Sequence, residues 1–344
     1  VRPDIYGAEA ISVDSSGLSA FEDVELFQDK NLIAVTHSDP EIAKKAARKI
    51  KVNWKEPKTR FNNKTVFNYF EENLKEGRTF EEGGDISTGK SASDKVVTTN
   101  YEDGYVAHAT IETHAATCYY EGDKLVMWAS TQTPFGTRRQ VAGALGVPEE
   151  QVHVKQIYVG GGFGGKAYNP QAVEVAKICQ KIQKPVQLVW NRSEEFMYDG
   201  FRTAALMKTT AGVDKEGKLT LWDFDIYCAG SRGCKLFYDI PNNRTRTFNS
   251  NNLHHFATGA WRAPGNNSTT FARESHIDVL AKEAGIDPYK FRMMNMNPDH
   301  RMAKTLKLAA DTFGWGKKKK EGHGYGIALG DDAGTTVAMI AEVY

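Results

Sequence analysis

Apolar and polar residues alternate with a period of two over "AEAISVD" (8–14) and "LIAVTH" (32–37), and both stretches are expected to be strands. Between them and "KVNW" (51–54) lies "DPEIAKKAARKI". There Asp39 stands at a capping position, Pro40 at the first turn, and the apolar residues recur at helical spacing. The first fifty-odd residues therefore predict a small α/β unit. From Glu56 to about Ser93 the chain turns polar. It carries one short amphipathic helix, "TVFNYFEENLKEG", followed by "EEGGDISTGKSASDK", a linker by composition.

A second region begins near Lys95. Strand patterns run to "LVMWAST" with a turn at Glu121-Gly122-Asp123, and "PFGTRRQVAGALGVP" reads as a helix ending at Gly146. "QVHVKQIYV" alternates as a strand, "NPQAVEVAKICQKIQK" has helical spacing, and "PVQLVW" is a further strand, together a βαβ-like unit. "ALMKTTAGVDKEGKLTLWDFDIYCAG" predicts a hairpin turning at Asp214 to Gly217, and "NSTTFARESHIDVLAKEAGI" a long helix. No repeat of fixed period is visible. The chain closes on "TTVAMIAEVY", a strand pattern in mid-course. An apolar strand left at a sheet edge is a pairing hazard, so the sequence is expected to be the N-terminal part of something longer.

Composition narrows this picture only by exclusion. The length of 344 residues suits about two domains of ~150 residues. A net charge of +1 gives no bulk attraction to nucleic acid or anionic membrane, and the short basic run Lys317 to Lys320 needs no partner. No run of ~18 apolar residues appears, so no membrane span is expected. Cys118, Cys179, Cys228 and Cys234 form no C-x-x-C pair and read as buried thiols rather than cluster or zinc ligands. His254 and His255 are adjacent and would point to opposite faces of an extended segment, so they do not make a metal pair. No signal peptide is visible, which leaves the compartment open between cytoplasm and periplasm.

The chemistry concentrates in "IYVGGGFGGKA". Gly160, Gly162 and Gly165 have the spacing of a dinucleotide fingerprint, but the strand after the helix runs into Asn191 and Arg192 where a ribose-binding acid is needed. Gly160, Gly165 and Lys166 nearly form a phosphate-binding loop, but Ala167 stands where a Mg²⁺-holding hydroxyl belongs. A structural turn needs one or two glycines, and each further one costs ~0.5–1 kcal/mol of chain entropy. The excess points to close backbone approach to a ligand, with main-chain N–H groups as donors.

With its flanks, the loop is more specific. "YVAHATIETHAATCYYEGDKLVMWASTQTPFGTRRQVAGALGVPEEQVHVKQIYVGGGFGGKA" resembles the large subunit of the molybdenum hydroxylases, the xanthine dehydrogenase and aldehyde oxidase family, and is most similar to the isoquinoline 1-oxidoreductase beta-subunit type. "WRAPGNNSTTFARESHIDVLAKEAGIDPYKFRMMNM" resembles that family's second cofactor loop and the helix after it. The resemblance implies a mixed α/β (α+β) fold: an α/β-hammerhead-like domain over 1–60, a linker over 61–94, a first molybdopterin-binding domain with mixed sheet and helices over 95–322, and at 323–344 the opening strand of a second such domain. It also implies a molybdopterin cofactor, in its plain or cytosine dinucleotide form. The reaction implied is oxidation of an N-heteroaromatic ring or an aldehyde with oxygen from water, electrons leaving through iron–sulfur clusters of a [2Fe–2S] partner.

By position, Gln132 matches the glutamine beside the apical oxygen ligand of molybdenum, where an amide can donate a hydrogen bond without adding charge. Gly162, Phe163 and Gly164 match the loop whose backbone contacts the metal's ligands. Arg262 matches an arginine near the cofactor, its fork suited to anionic oxygens. Without the resemblance, Gln132 could cap the following helix and Arg262 could form a surface salt bridge. Glu112 and His114 match a family pattern that gives neither a role. No residue of this chain is expected to ligate the metal directly. Nor is a catalytic residue expected on it, because the general-base glutamate lies in the second molybdopterin-binding domain, so the isolated chain is expected to hold little or no cofactor and to be inactive. Ala167 replaces the glutamate of purine enzymes, Ala263 the copper-holding cysteine of carbon monoxide dehydrogenases, and Pro264 an aromatic residue that stacks on purine substrates. A nucleotide-binding module, or a scaffold retaining only subunit contacts, are the alternative functions.

Overall fold

A computed structural model describes residues 1–250, 253–317 and 320–344; Lys318 and Lys319 of the basic run lie outside them. Two compact units interleave along the chain. One is formed by 1–60, 107–202 and 254–262, the other by 61–106, 203–253 and 263–344.

In the first unit, Glu9–Asp14 pairs antiparallel with Lys51–Lys55, and Glu25–Asp29 with Leu32–Thr36. The helix Pro40–Ala47 starts where the pattern placed it, Asp39 accepting from the Glu41 N–H at 2.8 Å. The main sheet has four strands in the order Val152–Lys155, Lys124–Ala129, Ala115–Glu121, Val186–Val189. Its first pair is parallel and the other two antiparallel, so the strands before and after the Pro170–Ile182 helix lie parallel at opposite edges. That helix and Pro134–Leu145 cover the sheet. Val141, Val175, Ile178 and Cys179 close over Cys118, Leu125 and Met127. Gly146 ends the Pro134–Leu145 helix with φ +68°, as glycine allows and other residues rarely do. Phe27 of the N-terminal hairpin belongs to this same core, so 1–60 packs as part of the unit.

The second unit is built on a five-stranded mixed sheet, ordered Arg78–Gly83, Asn243–Phe248, Leu219–Tyr227, Ala205–Val213, Lys95–Asp103. The predicted hairpin turns at Asp214, whose backbone carbonyl accepts from Gly217 at 3.1 Å. Segment 61–94, a linker by composition, is instead folded. The expected amphipathic helix is there as Val66–Asn73, and the stretch beyond it supplies an edge strand and the helix Ile86–Ala92, capped by Asp85. The reason is aromatic: Phe61, Val66 and Phe70 are buried against Leu206, Tyr227 and Phe248, and this burial outweighs the polar composition around them. The long helix Asn266–Glu283 buries Arg273 and Glu274 together with Arg292. The two guanidinium groups reach the carbonyls of Leu329 and Ile327 at 3.0 Å each. The Leu329 N–H donates to Glu274, so the Gly324–Asp332 strand is held by charge as well as packing. Burial beside Glu274 pushes the Tyr238 hydroxyl well above its ordinary value.

All four cysteines are free and buried, as the sequence suggested; burial pushes the Cys228 and Cys234 thiols up to about 12. No helix among the described residues is long and apolar enough to cross a membrane.

Candidate functional site

The strand leading into the glycine loop stops at Lys155. Gln156 breaks the alternation of Val152 and Val154, and the apolar Ile157 and Tyr158 beyond it are exposed, Tyr158 fully, so there is nothing for a strand face to bury. The helix beyond begins only at Pro170, after a 3-10 turn over Gly165–Ala167. The dinucleotide motif needs its third glycine at the helix start, and here the loop and the helix are separated. Lys166 is fully buried with its Nζ 2.6 Å from Glu112, so it is not presented to a phosphate. Both nucleotide readings of the loop lose their geometric basis.

The glycines have a different cause from the one the sequence suggested. A Cβ on Gly160 would lie 2.5 Å from Glu112, on Gly162 2.4 Å from the Gln132 amide oxygen, on Gly164 1.7 Å from the carbonyl oxygen of Ala260, and on Gly165 2.7 Å from Asp199. The protein's own groups press on the loop from behind, and at Gly160, Gly164 and Gly165 that alone demands glycine; at Gly162 a Cβ would displace the end of the Gln132 side chain instead. Gly161 and Gly164 also have φ of +96° and +117°. What remains free is the donor set. Among the described residues the N–H groups of Gly161, Gly162 and Phe163 have no hydrogen-bond acceptor, while those of Gly160 and Gly164 bond to Glu112 and Gln132. Phe163 itself takes φ +55°, a conformation a bulky residue seldom adopts without a constraint.

Gln132 leaves the sheet between Lys124–Ala129 and the Pro134–Leu145 helix. Its N–H donates to the Lys166 carbonyl at 2.9 Å, and its Oε1 accepts from the Gly164 N–H at 2.9 Å. That fixes the amide so that Nε2, the donor end, has no protein partner among the described residues. The helix-capping role is not taken: Thr133 is the N-cap and no side chain caps it. Arg262 lies with its guanidinium carbon 4.8 Å from the centroid of the Phe163 ring. It makes no salt bridge among the described residues. Gln132, Gly162, Phe163, Gly164 and Arg262 are thus brought together on one unit.

Sequence reasoning passed over His108. The ring is buried beneath the loop, with Nδ1 3.0 Å from Asp199 and Nε2 2.9 Å from the Ala260 carbonyl. Burial pushes its pKa down, but the carboxylate and the carbonyl outweigh burial and raise it above the ordinary imidazole value. A doubly protonated ring satisfies both acceptors at once. His108 therefore couples the loop's floor to Asp199, at the end of the Arg192–Tyr198 helix, and to the segment carrying Arg262. His114 is also buried, its Nδ1 3.0 Å from Glu195 and its ring against Trp190. Burial pushes the Glu195 carboxyl up, but hydrogen bonds from His114 and Thr110 outweigh it and hold it below the ordinary value. Both histidines lie in "HATIETH"; His114 also matched a family pattern, and for His108 the spacing was the one signal in the sequence.

The loop fits an oxygen-rich anionic group: three unpaired amide donors, an amide Nε2 and a guanidinium, with no carboxylate among them. The model of the molybdopterin cofactor-binding domain family matches residues 67–296. The chain is 29% identical over 277 residues to the aldehyde oxidoreductase molybdenum-binding subunit PaoC of Escherichia coli O157:H7, covering 72% of this chain and 38% of that protein. It is 23% identical over 339 residues to a nicotinate dehydrogenase subunit of Pseudomonas putida, covering 91% of this chain and 28% of that one. The fold is that of quinoline 2-oxidoreductase from Pseudomonas putida 86, with a TM-score of 0.81 at 19% identity over 96% of this chain and 53% of the other. It is also that of the aldehyde oxidoreductase from Desulfovibrio gigas, with a TM-score of 0.78 at 19% identity over 94% and 44%. The chain therefore spans well under half of these curated relatives and about half of the solved structures.

Proposed function

Because the chain belongs to the molybdopterin cofactor-binding domain family, we propose that it supplies part of the cofactor site of a molybdenum-dependent hydroxylase acting on an N-heteroaromatic or aldehyde substrate. When bound, the cofactor would supply a redox-active metal at which a substrate carbon is oxidised with oxygen taken from water. The rest of the enzyme, including an iron–sulfur partner that removes the electrons and the general-base glutamate, belongs to the same proposal. So does the cytosine dinucleotide form of the cofactor.

The observation that carries this reading is the donor set. The Gly161, Gly162 and Phe163 amides and the Gln132 Nε2 lack protein acceptors among the described residues, and Arg262 stands over Phe163 without an acidic partner there. In this role the loop amides and Gln132 receive the oxygen ligands of the metal. Arg262 balances their charge, and Phe163, 38% exposed, gives the substrate an apolar wall. His108 and Asp199 support the loop and touch no ligand.

Gln132→Glu tests the donor role. The variant keeps an oxygen that can accept from Gly164 but loses the Nε2 donor and adds a negative charge. The expected result is a fall in molybdenum and pterin per enzyme, with the loss of one hydrogen bond alone worth roughly 0.5–1.5 kcal/mol and charge repulsion adding to it. Cofactor content equal to wild type would show that Gln132 does not face the metal's oxygens.

A further inference from the structure

A buried ammonium loses several kcal/mol of hydration that only a well-placed carboxylate and polar neighbours return. Lys166 is fully buried and has one ionic partner among the described residues, Oε2 of Glu112 at 2.6 Å. The same oxygen accepts from the Gly160 N–H at 2.7 Å, and the Glu112 N–H donates back to the Gly160 carbonyl at 3.2 Å. Glu112 is itself anchored. Thr110 Oγ1 donates to its carbonyl at 2.7 Å, and Arg192 donates to the carbonyls of Thr110 and Ile111 at 2.7 and 2.8 Å. On the other side, the Lys166 carbonyl accepts from the Gln132 N–H at 2.9 Å and from Asn169 Nδ2 at 3.2 Å. One carboxylate oxygen thus joins the start of the glycine loop to its end, and the lysine passes that placement on to Gln132.

We propose that Glu112 is a positioning residue, a clasp that closes the Gly160–Lys166 loop through Gly160 and Lys166 and so aims the free amides and Gln132 at a common point. That this point is where the cofactor's oxygens sit rests on the function proposed above; the clasp does not. Glu112 is 36% exposed while Lys166 is not exposed at all, which makes the two halves of the pair unequal. Removing the lysine lets the carboxylate regain water and keep Gly160. Removing the carboxylate's charge strands an ammonium in the interior.

Amide hydrogen exchange on the purified chain reads the clasp directly, in peptides covering 157–169. Glu112→Gln is expected to speed exchange of the hydrogen-bonded loop amides of Gly160, Gly164 and Gly165 by roughly tenfold or more, and Lys166→Met by less. The double variant, which buries no charge, is expected to exchange more slowly than Glu112→Gln alone, a non-additive result that simple loosening does not give. It also keeps the test open should Glu112→Gln fail to fold. Lys177→Met, which breaks the Lys177–Asp29 pair of the same unit, is the control and should leave the loop unchanged. Loop exchange within about twofold of wild type in folded Glu112→Gln, or the same acceleration in the control, overturns the proposal. Molybdenum and pterin content of the wild-type enzyme separates the two ideas. An intact exchange pattern beside a complete enzyme that holds no cofactor leaves the clasp standing and removes the function; a loaded complete enzyme without the exchange pattern does the reverse.

Discussion

Gly164 shows how little latitude the site leaves to a single residue. A methyl group there would fall on the Ala260 carbonyl oxygen, at a φ of +117° that an L side chain rarely adopts. Gly164→Ala is therefore expected to destabilise the chain by more than about 1 kcal/mol and to release the Gly164–Gln132 hydrogen bond. Thermal unfolding of the variant checks this, and an unchanged midpoint contradicts it. His108 gives a prediction with a sign. Its pKa is raised in the folded chain, so folding takes up a proton in the window between the unfolded value of about 6.5 and the higher folded one. The stabilisation from the Asp199 contact is full below about 6.5 and is lost as pH rises through the folded pKa. Unfolding free energies of wild type and His108→Asn should differ most on the acid side and converge above neutrality. A gap that widens with pH would contradict the pairing. His108 was illegible in the sequence because a lone histidine on an apolar stretch looks like any buried core residue. The glycines were legible, but their reason was not. Their close neighbours turned out to be Glu112, Gln132, Ala260 and Asp199, which only the fold brings near.

At the scale of elements, the longer helical stretches and one hairpin matched their reading: Pro134–Leu145 to Gly146, Pro170–Ile182, Asn266–Glu283 and the hairpin at Asp214. Two kinds of element did not. The predicted strand through Val159 ends at Lys155 because the apolar residues beyond, Ile157 and Tyr158, are exposed and give a strand no face to bury. In segment 61–94 the first helix was legible from its amphipathic pattern, but the strand and second helix beyond it hide behind Glu, Lys, Ser and Gly. Phe70→Ala is expected to cost about 3–5 kcal/mol, because the ring is completely buried among Phe61, Leu206 and Phe248. Denaturant unfolding measures it. A cost below about 1 kcal/mol would mean that the segment behaves as the linker its composition suggests.

At the scale of the molecule, sequence order and spatial units part company. Both units are assembled from three stretches of chain, and no pattern along the sequence announces that Ala260 and Arg262 return to the glycine loop. It was the resemblance, not periodicity, that placed Gln132 and Arg262 beside Phe163 before the fold was known. The chain spans only part of its relatives, so the account stands on one local arrangement: free amides of Gly161, Gly162 and Phe163 flanked by Gln132 and Arg262. Anomalous diffraction at the molybdenum absorption edge, from crystals of the cofactor-loaded enzyme, tests it most directly. A single strong peak is predicted in front of that loop, with the metal's oxygen ligands within hydrogen-bonding reach of the amides and of Gln132. A peak remote from both, or a loop turned toward a nucleotide phosphate, would contradict the account.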